Sequence, residues 1–228
     1  MKSGTNEYTG KGFKYVLFRE TLRRRTLART VQNLAMRGVE LSGKGIDLGG
    51  NPTEPYYKFI SFAEGADVTF ADLEPKSEEV LKVDIEKGIP VEDNSQDFLL
   101  LLNVLEHIYD YPKTVRECCR VLKPGGKLIG VVPFLYQYHG APDDYFRFTG
   151  SGLKRIFEDA NFSSTTVKSL GYGRVTAGVS FFAQRIKPKP LGFLFYIAAM
   201  AIDRRFYKHD ITEDGSLYPL SYLFTAVK

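Results

Sequence analysis

A chain of 228 residues and 25.8 kDa is long enough to bury a substantial core, as one large domain or two small ones. Hydrophobic residues at 43% and charged residues at 25%, without repeats or low-complexity runs, exclude disordered and fibrous classes. The net charge is only +4, and the two cysteines, Cys118 and Cys119, are neighbours, which excludes a disulfide scaffold and a cysteine metal site.

The first residues, MKSGTNEYTGKGFKYV, contain no apolar run of the signal-peptide kind, so a cytoplasmic protein is expected. Between Lys14 and Arg37 the charge is strongly basic, with Lys14, Arg19, Arg23, Arg24, Arg25, Arg29 and Arg37 against Glu20 alone. Tyr15, Phe18, Leu22, Leu27, Val31 and Leu34 recur there at roughly helical spacing. Residues 1–40 are therefore read as a basic amphipathic helix covering a main domain, 41–228. Its cations either form a solvated face or attract an anionic substrate or lipid surface. No nucleic-acid partner is expected, because no binding module accompanies the patch.

From residue 44 the pattern alternates. GKGIDLGG reads as a strand and a turn, PYYKFISFAEG as a helix, ADVTFADLEP as a strand ending in acid, and VLKVDI as a third strand. QDFLLLLNVLEHI is a near-continuous apolar run of the kind buried on both faces of a sheet. YPKTVRECCRVLKPGG then reads as a helix closed by Pro124, Gly125 and Gly126, and KLIGVVPF as another strand. Repeated βα units imply an α/β fold, a Rossmann-like, doubly wound and mostly parallel sheet whose ligands bind beyond the carboxyl ends of its strands.

The turn GIDLGGNP lies at such an end. Gly49 and Gly50 permit a sharp turn and close approach to a ligand, and Asn51 is the non-glycine residue most tolerant of a left-handed conformation. Pro52 and Pro55 offer no amide hydrogen, and no Gly-Lys-Ser/Thr follows, so the loop is poorly equipped for phosphate. Asp72 stands at the tip of the second strand, at the interval where such folds place a ribose-binding acid. Asp84 ends the third. Each acid alone would read as a cap or turn former, but a series at three strand ends reads as a nucleoside site.

GIDLGG, FADLEP, VDIEKGIPVEDNSQDFLLLLNVLEHI and RVLKPGGKLIGVVP, together about residues 44–135, resemble the successive motifs of class I S-adenosylmethionine-dependent methyltransferases. The resemblance implies a seven-stranded sheet ending in an antiparallel strand pair. It implies S-adenosylmethionine as cofactor, S-adenosylhomocysteine as product, and no metal. By it, Asp47 and Gly49 lie against the methionine part, Asp72 holds the ribose, and Gly50, Asn51 and Leu73 belong to the same cofactor site. Asp84 and Ile85 flank the adenine, while Asn103 and Val104 line the floor beneath the methyl donor. Asn51 departs from the family's second loop glycine.

The stretch PFLYQYHGAPDDYFRFTG is similar to a subset of these enzymes associated with sugars, surface glycans and related small molecules. Within the loop 136–150, Tyr136, Tyr138, Asp143, Tyr145 and Arg147 are expected at the substrate, a small molecule or glycan. Methyl transfer asks mainly for positioning, but a hydroxyl acceptor must lose a proton. His139 is the first candidate base, oriented by Asp144 or Asp143, because imidazole titrates near neutral pH. The alternative is a structural loop in which Arg147 clamps Asp144. His107, in LEH, is a further catalytic candidate with scaffolding as its alternative, and Thr149 or Ser151 caps the next helix.

STTVKSL and LSYLFTAV read as the last two strands, separated by an insert, 175–218. LGFLFYIAAMAI, residues 191–202, is apolar and flanked by Lys187, Lys189, Arg204 and Arg205. Twelve residues do not span a bilayer, which needs roughly 18 or more. The segment is expected to pack on the sheet or roof the site, with peripheral membrane contact through 187–205 as the alternative. The overall expectation is a methyltransferase acting on a hydroxyl. Lipid-linked, nitrogen or carbon acceptors, or a catalytically silent binding protein of the same fold, are the alternatives.

Overall fold

The computed structural model describes residues 12–140, 142–183, 185–212 and 215–228. The expectation for the first eleven residues lies outside them. In chain order the elements begin with α1 (Phe13–Leu22), α2 (Leu27–Ala35), β1 (Glu40–Leu41), β2 (Lys44–Leu48), β3 (Ser61–Phe62), β4 (Asp67–Asp72), β5 (Val80–Lys82) and β6 (Gln96–Leu102). They continue with α3 (Tyr111–Val121), β7 (Leu122–Pro133), α4 (Gly150–Asp159), β8 (Ser164–Gly171), α5 (Arg174–Ala183), α6 (Lys189–Phe206), β9 (Ile211–Thr212), β10 (Gly215–Ser216) and β11 (Pro219–Val227).

A central parallel strand has neighbours on both edges and packing on both faces, so every side chain must be apolar. Phe98 to Leu102 satisfy that demand, and β6 is the middle strand of the order β5-β4-β2-β6-β7-β11-β8. The ladders β2–β4, β2–β6, β4–β5 and β6–β7 are parallel, with Ile46 opposite both Thr69 and Leu99, and Leu100 opposite Ile129. The last strand runs the other way. Lys228 exchanges backbone bonds with Gly125 and Gly126 (3.0 and 3.0 Å), whereas Phe134 donates to Leu220 at 2.9 Å. The expected mostly parallel sheet and terminal antiparallel strand are both present, and β9 and β10 form a separate antiparallel pair.

Three expected helical features differ. PYYKFISFAEG forms only a 3₁₀ turn, Pro55–Lys58, followed by β3. Tyr56 is drawn into the core and its neighbour Tyr57 packs on Phe70 and Phe62, which commits the segment to the sheet. Helix α3 stops at Val121, and Pro124, Gly125 and Gly126 lie inside β7, where the ladder to β6 shifts register between Gln96 and Phe98. The single helix expected over Lys14–Arg37 is two, parted at Arg24, whose backbone is left-handed with φ of 61°.

The chain divides into two compact units, one of residues 36–133, 138–167 and 223–228, the other of residues up to 35 with 134–137 and 168–222. In the first, the segment joining β5 to β6 has no helix to cover it. Arg120 of α3 holds it instead, donating to the carbonyls of Ile89 (2.9 Å) and Val91 (3.0 Å) and to Asp93 (2.5 Å). Glu117, bonded to the same guanidinium, accepts the Ile89 N–H at 3.0 Å. Both thiols are free; burial pushes that of Cys118 up to about 12.

In the second unit, Phe13, Val16 and Leu17 are buried on α1 while Tyr15, Phe18 and Leu22, the expected apolar face, are exposed. Buried Glu20 explains part of the basic run: Arg19, Arg23 and Arg25 lie 3.5, 3.3 and 3.2 Å from its carboxylate. A buried charge is tolerated only when compensated, so these arginines serve the fold. The apolar run 191–202 lies within α6, which buries Tyr196, Ala199, Met200 and Asp203 and exposes Leu191, Leu194, Phe195, Ile202 and Phe206. Asp203 accepts two N–H groups in the first turn of α5, from Val175 (3.0 Å) and Thr176 (2.8 Å), and so anchors one helix to the other. No described helix is long and apolar enough to cross a membrane.

Because Arg120 ties this helix-free segment down with charge-assisted bonds to its carbonyls and to Asp93, Arg120→Ala is expected to lower stability by about 2–3 kcal/mol in urea denaturation. Arg155→Ala, which removes only exposed ion pairs on α4, is expected to stay within about 0.5 kcal/mol.

Candidate active site

Apart from Tyr136, the residues below belong to the unit containing β2, β4, β6 and β7. At the end of β2, Asp47 is almost wholly buried. Its Oδ2 accepts the hydroxyls of Tyr56 (2.6 Å) and Tyr57 (2.5 Å), while Oδ1 is buried with no hydrogen-bond partner among the described residues. Burial pushes the Asp47 carboxyl up to about 6, against the two tyrosine bonds that favour its ionised form. Burial also holds both phenols well above their ordinary value, so they remain donors.

The two glycines are required for different reasons. Gly49 is left-handed (φ 87°), donates to the Ala71 carbonyl at 2.6 Å, and would place a Cβ 2.4 Å from Val104. A Cβ on Gly50 would fall 1.9 Å from Asp47 Oδ2. Asn51 is not left-handed. Its Oδ1 accepts from the Thr53 N–H (3.0 Å) and hydroxyl (2.6 Å), and its amide donates to Glu54 at 2.9 Å, so its side chain shapes the turn instead. The left-handed asparagine is Asn103, with φ of 58°, at the end of β6.

Asp72 ends β4 and accepts the Glu74 N–H at 2.8 Å, with the exposed Leu73 beside it. Asp84 lies two residues past β5, where Lys87 at 2.9 Å holds its carboxyl below the usual range and Ile85 turns inward. Asp47, Asp72 and the Asn103–Val104 turn thus stand at carboxyl ends of adjacent strands, as the sequence implies.

The polar loop is folded onto the end of β6. The Glu106 carbonyl accepts from the Tyr145 and Phe146 amides (2.9 and 3.3 Å), and the Asp143 carbonyl meets His107 Nδ1 at 2.5 Å. Tyr111 packs edge-on to Phe146 and Phe148, with centroids 5.1 and 5.2 Å apart. The Asp144 carboxylate is paired with both Arg147 Nη atoms and accepts the His139 N–H at 3.0 Å. Arg147 holds that carboxyl well below the usual range. The His139 ring lies between two acids, its Nδ1 3.4 Å from Asp144 Oδ2 and its Nε2 3.9 Å from Glu106 Oε1. Desolvation, with His107 beside it, lowers the His139 pKa, which favours the neutral ring.

The structure therefore brings His139, His107, Asp144 and Arg147 together. Of the two aspartates, Asp144 faces His139. The Asp143 side chain accepts from Tyr145 at 3.0 Å. Tyr138 is 71% exposed beside them, and Tyr136 falls in the other unit. Thr149 caps α4 at Gly152, as expected.

Sequence reasoning missed Tyr56 and Tyr57, because a helix was read where a turn aims both hydroxyls at Asp47. Glu106 was visible only as the neighbour of His107. Its burial follows from its place at the end of a doubly covered strand.

The Oδ1 of Asp47 suits a cationic amino group, and the space kept open by Gly49 and Gly50 suits a close-lying nucleoside; both fit S-adenosylmethionine. Residues 53–130 match a family model described as a methyltransferase domain. Over 143 residues the chain is 31% identical to a ubiquinone biosynthesis O-methyltransferase of Chromobacterium violaceum, covering 49% of this chain and 62% of that protein. Its fold is similar to that of a SAM-dependent methyltransferase from Archaeoglobus fulgidus, with TM-score 0.55 and 16% identity over 94% of this chain and 99% of that one. It is also similar to Haemonchus contortus phosphoethanolamine N-methyltransferase 2, in complex with phosphomonomethylethanolamine and S-adenosylhomocysteine, with TM-score 0.52 and 20% identity over 86% of this chain and 52% of that one. The chain thus spans less than two thirds of the ubiquinone enzyme and about half of the phosphoethanolamine enzyme. With the strand order, the acids at the strand ends and these matches together, the chain has the fold of the class I S-adenosylmethionine-dependent methyltransferases and is similar to them over its methyltransferase-domain match, residues 53–130.

Proposed function

We propose that this protein methylates a hydroxyl group of a small molecule or glycan. The observation that carries the reading is the His139 imidazole, held between Asp144 and Glu106 on the loop over the strand ends, where desolvation favours its neutral form.

S-adenosylmethionine supplies, when bound, a methyl group on a positively charged sulfur. Asp47 Oδ1 would accept from its amino group, Asp72 from its ribose hydroxyls, and Asp84 and Ile85 would flank its base. Asn103 and Val104 would support the reacting end. His139 takes the acceptor's proton through Nε2, and Asp144 acts as a positioning residue through Nδ1, itself fixed by Arg147. Exposed Tyr138 and Tyr145 supply aromatic surface for a sugar or ring.

Calorimetric titration tests the cofactor side. Asp72→Ala is expected to weaken S-adenosylmethionine binding by about 2 kcal/mol, roughly thirtyfold, by removing charge-assisted bonds to the ribose. Retained affinity in that variant would sink the ribose assignment.

A cation beside Asp47 favours the ionised carboxyl, whose pKa in the free protein is about 6. Binding near that pH is therefore expected to release a proton, and affinity to rise as pH increases through about 6. Titrations in buffers of different ionisation enthalpy measure the release, which Asp47→Asn abolishes.

His139→Ala is expected to lower kcat about 10²–10⁴-fold with cofactor affinity nearly unchanged. The acid limb of the wild-type kcat/KM profile lies below the ordinary imidazole value, because its pKa is lowered. A screen of sugars and aromatic alcohols with radiolabelled methyl donor reads both, and unchanged turnover in the variant would remove His139 from the mechanism.

A further inference from the structure

Helix α6 carries two apolar stripes and buries one of them. Gly192, Tyr196, Ala199, Met200 and Asp203 turn inward. Leu191, Leu194, Phe195, Ala198 and Ile202 recur at helical spacing on a second stripe, which is exposed among the described residues. The stripe continues onto neighbouring helices of the same compact unit. Phe18 of α1 meets Phe193 edge-on, with centroids 5.2 Å apart, and Phe182 of α5 meets Phe195 at 6.4 Å. Tyr15 and Leu22 lie three residues before and four after Phe18 on the exposed side of α1, and Phe181 is exposed beside Phe182. A helix apolar around so much of its circumference is ordinarily buried, and a contiguous exposed apolar surface of this kind marks a place where something docks.

Charge decides what docks there. Across residues 13–35 and 174–208 the sequence holds two acids, Glu20 and Asp203, and both are buried. Arg24, Arg185, Lys187, Arg204 and Arg205 are exposed in the same segments and form no ion pair with a carboxylate among the described residues. A second copy docked through the same face would bring these cations against themselves, because an isologous contact matches a patch with itself. Anionic headgroups pair the cations while acyl chains take the apolar stripe.

We infer that α1, α5 and α6 form a docking surface for an anionic phospholipid bilayer, with α6 lying in the plane of the membrane. At 18 residues α6 is about 27 Å long, enough to set several apolar side chains into the boundary between headgroups and acyl chains. Arg204 and Arg205 at its carboxyl end and Lys187 before its start reach for headgroups from either side of the apolar run. The docking does not depend on the methyl-transfer reading.

The test sediments the full chain with vesicles of phosphatidylcholine and phosphatidylglycerol in equal parts, and with vesicles of phosphatidylcholine alone. Expected is binding at least about tenfold tighter to the mixed vesicles, weakened by salt. Arg204→Glu with Arg205→Glu, and separately Leu194→Gln with Phe195→Gln, each weaken it at least about tenfold. Arg116→Glu with Lys154→Glu, a charge change of the same size at exposed positions of α3 and α4, leaves it within about twofold. Circular dichroism melts establish that the variants are folded. The sequence contains no tryptophan, so Leu194→Trp is a single reporter, whose emission shifts to the blue on the mixed vesicles and is quenched by brominated acyl chains. Equal binding to neutral vesicles, binding that survives both double variants, or a reporter that brominated lipid leaves unquenched overturns the proposal. Absence of vesicle binding overturns it too, and a solution dimer that Leu194→Gln with Phe195→Gln dissociates would then assign the patch to a second copy.

Discussion

A carboxylate without exposed surface, Glu106, sits where the central strand β6 ends, and the chemistry of the site is arranged around it. Its backbone carbonyl takes two amides of the loop, and its carboxylate faces both histidines. The apolar run Phe98–Leu102 carries the chain through the most covered lane of the sheet and leaves this polar residue at its mouth. Burial of a charge there costs several kcal/mol unless it is compensated, which makes the approach of the loop a condition of the fold as well as of function. Positions far from one another in sequence, 106, 107, 139 and 144, are thereby held together.

The other acid, Asp47, solves the same difficulty differently. It gains two phenol donors from a turn nine and ten residues downstream and otherwise shifts its proton equilibrium. Gly50 is part of that solution, since any side chain there would strike the carboxylate itself. The surroundings of Asp47 are therefore a local circuit of β2 and the turn that follows it, and the histidine cluster is a long-range assembly of β6 and the loop after β7.

This difference explains what was legible in the sequence. Strand identity, the acids at strand ends, the methyl-donor cofactor and the Thr149 cap depend on local patterns, such as the unbroken apolar run of β6 and a glycine pair after an aspartate. The histidine loop was also legible, because His139, Asp143, Asp144, Tyr145 and Arg147 are chemically dense for so short a stretch. Tyr56 and Tyr57 were not, because their apolar neighbours fit helical spacing as well as a turn docked on a sheet. The break at Arg24 and the bulge at Pro124–Gly126 were hidden for a similar reason: tertiary packing and a buried Glu20 outweigh the local preferences on which periodicity depends. Nothing in composition marks the absence of a helix between β5 and β6, since Arg120 substitutes for it from another element.

The loop after β7 is secured largely by groups that every amino acid possesses. Amides of residues 145 and 146 bond the carbonyl of residue 106, and the carbonyl of residue 143 bonds His107. Side chains such as Tyr138 therefore carry no part of these anchors. Such a loop can exchange its outward residues without disturbing the histidine pair beneath. The scaffold is thus evolvable in a particular sense, with the loop's outward residues free to drift while the histidine pair stays in place.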